Sequence, residues 1–328
     1  MITNYLKAKL VPMLTGSPGC GKSQIVYAIA EEYNLKVIDL RLSQCDPCDL
    51  AGFPTIAGDK ADYVPMKHFP IVGDEIPAGY SGWLLFLDEA NSAPPAIQAA
   101  AYKLILDKQV GSHHLHPNVA IVAAGNLSTD HALVQDMSEA LKSRIVHIEM
   151  VVDHIEWCDW AAKEGIDHRI SDFIKFKPGS LFTFTPDHTD CTYACPRTWA
   201  FADRVLKVTE EDSKDRLPML AGTLSEGVAR EFLGFCSIYK TLPKIEDMID
   251  HPEAIRVPAE PSVLFALTGA VSHNATNDNF SQLMKFIVRL PVEFQVVALK
   301  ETQRRNDRWI RSHPAFQKWI TGIGKDIF

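Results

Sequence analysis

The sequence predicts an α/β fold: a parallel sheet sandwiched by helices, followed by two stretches that are helical alone. Three observations predict it. Short runs rich in Val, Ile and Leu alternate with helical patterns as far as about residue 150. Those runs lack the strict polar alternation of a half-exposed strand, so they read as strands covered on both faces. Beyond that point the strand signal stops and helical spacing takes over.

In chain order, the strand-like runs are 11–14, 36–40, 83–87, 119–124 and 145–151. Between the first two, residues 22–33 read as a helix with Ile25, Val26 and Ile29 on one face. Residues 94–107 place Ile97, Ala101, Leu104 and Ile105 together, and the Pro-Pro start suits a first helical turn. Residues 153–164 and 197–208 read as helices, separated by a loop over 177–196 rich in Pro, Gly and Thr. The charged stretch 210–216 reads as a linker or helix end. Helical spacing returns in 228–239, 261–271, 280–290, 291–303 and 314–320, three of which open on proline. The expected organisation is a core over 1–150, a small helical lid over 151–208 and a helical C-terminal extension over 209–328, with no internal repeat.

Composition excludes several classes. The chain has 328 residues, 46% hydrophobic and 23% charged, which is too apolar for disorder and enough for about two domains. A net charge of −8 argues against non-specific wrapping of duplex DNA. No apolar run approaches the roughly 18 residues that cross a bilayer, and the first ten residues lack a signal-peptide core. Seven cysteines, an odd number, suggest a reducing compartment, so a cytoplasmic setting is expected.

The strongest motif is Gly16-Ser17-Pro18-Gly19-Cys20-Gly21-Lys22-Ser23, a complete G-x-x-x-x-G-K-[ST] between a strand and a helix. Its glycines let successive N–H groups turn toward phosphate oxygens, and the helix N-terminus adds partial positive charge. Lys22 supplies a full charge for the β- and γ-phosphates, and the Ser23 hydroxyl can ligate Mg²⁺. The alternative is a Gly-rich turn before a helix. Cys20 reads as a small apolar filler of the loop, with redox control of the loop as a remote alternative. A second motif, Asp88-Glu89, ends the run 83–87. Ligands bind at that end of strands in open α/β sheets. Asp88 would hold Mg²⁺ through water, and Glu89 would polarise an attacking water. The alternative is an acidic strand end capping the next helix.

The order of phosphate loop, strand with Asp-Glu and strand with Asn resembles the AAA+ ATPases, and within them the MoxR-like branch related to dynein and midasin. Asp49-Leu50-Ala51-Gly52-Phe53-Pro54, Asp88-Glu89-Ala90-Asn91 with Gln98 beyond, Ala123-Ala124-Gly125-Asn126, Ala140-Leu141-Lys142-Ser143-Arg144 and Pro196-Arg197-Thr198 carry the resemblance. It covers about residues 10–208 and does not extend convincingly over the tail. It implies a P-loop NTPase core binding ATP and Mg²⁺, the two motifs above being its Walker A and Walker B. Asn126 resembles sensor 1, though an Asn ending a strand also starts turns. Arg144 resembles the arginine finger that reaches a neighbour's ATP. Lys142 competes with it, but a planar guanidinium suits phosphate better, and a surface ion pair is the plainer alternative. Arg197 resembles sensor 2, an exposed Arg being the alternative. Ser143-Arg144-Ile145 departs from the Asp-Arg-Phe common at the finger, and Cys20 stands where Thr or Val is usual.

Weaker signals remain. Cys45 and Cys48, with Cys191 and Cys195, could make a zinc site, but the pairs lie far apart in sequence. His113, His114 and His116 fall where a hairpin is expected, and residues 54–67 read as another. Tyr63 and these histidines are therefore candidates for contact with a substrate. Arg304, Arg305, Arg308 and Arg311, with Trp309 and interleaved by Glu301 and Asp307, read as a solvated helix face, with a partner or nucleic-acid contact as the alternative. The resemblance implies an ATPase assembled as a homo-oligomeric ring, expected to be a hexamer, that remodels or activates a partner protein, often one with a von Willebrand factor A domain. No nucleic-acid or membrane partner is expected. A nucleic-acid motor and a small-molecule P-loop kinase are the alternatives.

Overall fold

The computed structural model describes residues 1–130, 137 and 139–322. Residues 323–328 of the expected extension thus lie outside the described residues. The chain divides into two compact units, Met1–Val151 with Thr185–Asp187, and Val152–Phe184 with His188–Phe328.

The first unit contains strands β1 (Pro12–Thr15), β2 (Leu35–Arg41), β3 (Phe53–Ala57), β4 (Lys60–Val64), β5 (Gly82–Asp88), β6 (Gln109–Val110), β7 (His113–His114), β8 (Val119–Gly125) and β9 (Val146–Glu149). Five of them form a parallel sheet in the order β2-β5-β8-β1-β9. Pairs β3-β4 and β6-β7 are antiparallel hairpins. Helices α1 (Ile2–Lys7), α2 (Lys22–Glu32), α3 (Pro47–Ala51), α4 (Pro95–Leu106) and α5 (Glu139–Lys142) complete the unit.

Alternate side chains of the central strands fill two separate cores, as the pleat requires. Met13, Leu85, Leu87 and Ala123 point to one face, with Ile97, Ala101 and Leu104 of α4. Leu14, Leu84, Phe86, Val122 and Ala124 point to the other, with Val26, Ile29 and Ala30 of α2. Each such fully buried Leu or Phe stabilises by about 1.5–3 kcal/mol. Two details differ from the sequence reading. Ile25 is 39% exposed, because the buried stripe of α2 runs through Val26, Ile29 and Ala30 and misses it by one position. Strands β2 and β9 are only half covered, because they are the sheet's two edges.

The second unit is helical: α6 (His154–Lys163), α7 (His168–Phe176), α8 (Pro196–Val208), α9 (Arg216–Leu224), α10 (Glu226–Tyr239), α11 (Ile245–Asp250), α12 (Pro261–Asn274), α13 (Phe280–Ile287), α14 (Val292–Arg305), α15 (Asp307–Ile310) and α16 (Pro314–Gly322). Trp157, Phe173, Trp199, Leu220, Phe232 and Phe235 share one core, so α6–α8 pack with α9 and α10. Met248, Leu264, Phe280, Phe286 and Phe316 form another. Helix α12 serves both, through Ala266 and Leu267. Among the described residues no helix is long and apolar enough to cross a membrane.

Candidate functional site

The registers of β5, β8 and β1 bring three motifs to the C-terminal end of the sheet. Thr15 pairs with Gly125 and Leu87 with Ala123, so the three strands end side by side. The phosphate loop leaves β1, Asp88 and Glu89 leave β5, and Asn126 follows β8.

The loop's shape follows from its glycines. Gly19 and Gly21 have φ of 80° and 104°, a left-handed backbone that strains any other residue. Gly16 is buried, and a Cβ there would lie 3.0 Å from Cys20 Sγ and 3.1 Å from the Met150 carbonyl oxygen. Cys20 therefore packs beneath the loop. Lys22 Nζ donates to the Gly16 and Ser17 carbonyls at 2.6 and 3.2 Å and to Asn126 Oδ1 at 3.2 Å. Its ammonium thus sits inside the loop and ties it to the end of β8. The 11-residue helix α2 begins at Lys22, so its first N–H groups face the same region.

Ser23 Oγ donates to Asp88 Oδ2 at 3.4 Å, and the Glu89 amide donates to Asp88 Oδ1 at 2.8 Å. Burial pushes the Asp88 carboxyl above the usual Asp range, only partly countered by the Glu89 amide and by Lys22. A hydroxyl beside a partly desolvated carboxylate is a hard-oxygen pair, and a divalent cation there would compensate the burial. That donor set fits Mg²⁺, which takes few protein ligands and keeps water and phosphate oxygens in the rest of its shell.

Glu89 has a φ of 56°, a left-handed conformation that is uncommon at a non-glycine residue and of the strained kind that clusters at active sites. Its Oε2 accepts a hydrogen bond from Ser43 Oγ, just beyond β2. Ser43 was invisible to sequence reasoning, since no local motif links it to Glu89. Asn91 is a second such residue. It is buried, its Nδ2 donates to the Asn126 carbonyl at 2.7 Å, and its Oδ1 accepts from the Asn126 amide at 3.0 Å. A Cβ on Gly125 would fall 2.1 Å from Asn91 Oδ1, so the Gly before Asn126 is what lets Asn91 clamp it. The Asp-Glu-Ala-Asn string contained Asn91, but only the sheet shows what it holds.

Two predicted site residues lie elsewhere. Arg144 is exposed between α5 and β9, its guanidinium 5.7 Å from the centre of the Tyr102 ring. Val146 pairs with Pro12, at the start of β1, whereas the loop follows Thr15, at its end. Arg144 therefore stands at the opposite end of the strands from its own loop, roughly 10 Å or more along the strand direction. Arg197 belongs to the second unit, exposed in the first turn of α8, which is fixed by Pro196 and by the Cys195 amide donating to Thr198 Oγ1 at 2.8 Å.

The expected hairpins are present and touch. Ser112 Oγ donates to Asp62 Oδ1 at 3.0 Å, and Gly111, at φ 59°, lies against Tyr63. Phe53, Ile56, Tyr63 and Val64 are exposed on the β3-β4 hairpin. His116 is placed edge-on to Trp83, and no group of three or more His, Cys, Asp or Glu side chains that could hold a metal occurs among the described residues. The tail reading needs a correction: Glu301 is buried, bonded to Lys175 and Arg304, and is not part of a solvated face.

Residues 12–145 match the family model described as AAA domain, dynein-related subfamily. No curated protein matches the chain. Among solved structures, a mutant of Thermotoga maritima RuvB matches at 16% identity over 88% of this chain and 85% of that one, TM-score 0.42. The replication initiator DnaA bound to AMPPCP and single-stranded DNA matches at 11% identity over 98% and 92%, TM-score 0.37. Brucella abortus NtrX in complex with ATP matches at 13% over 99% and 68%, TM-score 0.33. The family match spans the residues that build the site, among them Lys22, Ser23, Asp88, Glu89 and Asn126. The chain carries an AAA-type ATPase domain of the dynein-related subfamily over residues 12–145.

Proposed function

We propose that the chain hydrolyses ATP with Mg²⁺ as a subunit of a homo-oligomeric ring, most simply a hexamer, and that this cycle remodels or activates a partner protein. The observation that supports it is the convergence of Lys22, Ser23, Asp88, Glu89 and Asn126 at the C-terminal end of the sheet. In this reading the loop amides and Lys22 bind the phosphates, exchanging the loop carbonyls that now hold the ammonium. Ser23 and Asp88 hold Mg²⁺, which supplies charge neutralisation to the phosphates. Glu89 orients a water and accepts its proton, after its bond to Ser43 opens. Asn126 orients the same water and the γ-phosphate, and Asn91 keeps Asn126 in place.

Arg144 acts on a neighbouring subunit's ATP. Its position at the opposite end of the strands from its own loop supports action in trans. Arg197 meets the phosphates from the 151–208 lid, and the 209–328 extension serves attachment of the partner. The touching hairpins, with Tyr63 and His113–His114, contact that partner, for which a von Willebrand factor A domain is the class the resemblance suggests. A cytoplasmic, reducing setting suits a chain with seven cysteines, an odd number.

The test mixes two inactive variants. Lys22→Ala and Arg144→Ala should each release little phosphate alone, and an equal mixture should recover activity. A mixture that stays inactive while wild type is active overturns the trans finger. A phosphorylated metabolite in place of free phosphate would identify a kinase.

A further inference from the structure

Helices α6, α12 and α14 of the second unit enclose a pocket of about 510 Å³ lined by Asp159, Lys163, His273, Arg304, Arg305 and Asn306. Its charges do not balance. Arg304 is met by Asp159 at 3.2 Å and Glu301 at 2.9 Å. Lys175, behind it, is met by Glu301 and, at 3.8 Å, by Asp172. Neither Arg305 nor Lys163 makes an ion pair among the described residues. Arg305 Nη1 faces His273 Nδ1 at 3.3 Å, and its buried Nε has no hydrogen-bond partner. A buried guanidinium N–H is seldom left without an acceptor, so an acceptor is worth seeking.

The remaining neighbours do not supply one. His273 stacks on His168 with centroids 4.3 Å apart, and both imidazoles are pushed toward the neutral form by burial, with Arg305 adding to the effect on His273. Asp167, beyond His168, is committed to Arg169 at 2.7 Å. Three cationic side chains thus border one pocket whose only lining carboxylate, Asp159, is already engaged.

We propose that this pocket binds a small phosphate-class oxyanion, held by Arg305 and Lys163, with Arg304 and His273 beside it. A planar guanidinium with open N–H groups matches tetrahedral oxyanions. The volume leaves room for the organic part of a phosphate monoester. The site is separate from the phosphate loop and does not depend on the hydrolytic reading.

His273 is the local reporter. An anion at Arg305 favours imidazolium, against the present influence of Arg305 and Lys163 and alongside that of Asp159 and Asp167. NMR titration of the imidazoles, with His273→Gln to assign the signal, is done in a Lys22→Ala background so that the loop does not compete. Inorganic phosphate and methyl phosphate are each compared with chloride at equal ionic strength. Either phosphate should raise the His273 midpoint by about one pH unit, and Arg305→Gln or Lys163→Ala should abolish most of that rise. A larger effect of methyl phosphate identifies a monoester site; equal effects identify a free-phosphate site. An unmoved midpoint, or the same rise in the variants, overturns the proposal. Should Arg305→Gln not fold, Lys163→Ala, at an exposed position, decides alone.

Discussion

The two units each bury a carboxylate, and the contrast separates a site from a strut. Asp88 ends a strand, and its contacts are a hydroxyl and an amide, Ser23 and Glu89. Asp172 is enclosed by its own fold: Tyr239 donates to it at 2.6 Å, Lys175 stands 3.8 Å away, and a Cβ on Gly269 would sit 1.9 Å from its Oδ2. Burial raises both carboxyls, Asp172 to about 6. One is completed by the chain and holds helices together. The other faces the end of the sheet where the phosphate loop lies, and in the proposed reading a cation and phosphates would complete it. A buried charge is thus read by what finishes its coordination rather than by how far it is shifted.

That contrast can be broken from either side. The largest expected effect on folding is in the second unit. Trp199 is fully buried against Phe173 and Phe232 and donates to the Ser180 carbonyl at 2.9 Å, so Trp199→Ala should cost about 3–5 kcal/mol in denaturant unfolding. Lys22→Ala should do the reverse, lowering nucleotide affinity about 100-fold or more by equilibrium titration while moving stability by less than about 1 kcal/mol. Equal loss of stability in both would erase the distinction.

Asn91→Ala comes next. It removes two bonds to the backbone of Asn126, worth about 1–3 kcal/mol with the orphaned amide, and should slow phosphate release about tenfold with nucleotide affinity little changed. A loss in affinity with an unchanged rate would place Asn91 in binding instead.

The smallest effect is in the pH dependence of the second unit. Asp172 rises from 3.8 to about 6 on folding, so its contribution is full below about pH 4 and is lost as pH rises through 6. His168 falls from 6.5 to about 4, mainly by burial, so its contribution is full above 6.5 and is lost as pH falls through 4. The two oppose each other over one window. His168→Gln should tilt melting temperature downward with rising pH between 4 and 6.5 relative to wild type, and Asp172→Asn should tilt it upward. Two variants with the wild-type slope would show that neither group titrates as placed.

Much of this was legible in the sequence where structure is local. The runs of Val, Leu and Ile around Leu85 and Val122 gave each central strand to within a residue, because both faces are covered. The phosphate loop was legible in full, since its shape needs glycine at fixed positions such as Gly21. Helix α7 was missed because its buried face carries Ser171 and Asp172 among Ile170, Phe173 and Ile174, which breaks the apolar pattern. Edge exposure of β2 and β9 depends on strand order, which no local window contains. The bonds from Ser43 to Glu89 and from Asn91 to Asn126 were hidden for the same reason: they join residues far apart in sequence.

The most direct test of the central claim is Glu89→Gln, read in two assays at once. Glutamine keeps the size of the side chain and can still meet Ser43, but it cannot accept a proton from water. Nucleotide binding should stay within about threefold of wild type, while ATP hydrolysis should fall by about 10²–10⁴-fold. Hydrolysis at the wild-type rate would contradict the account, since the left-handed residue that follows β5 would then have no part in the chemistry.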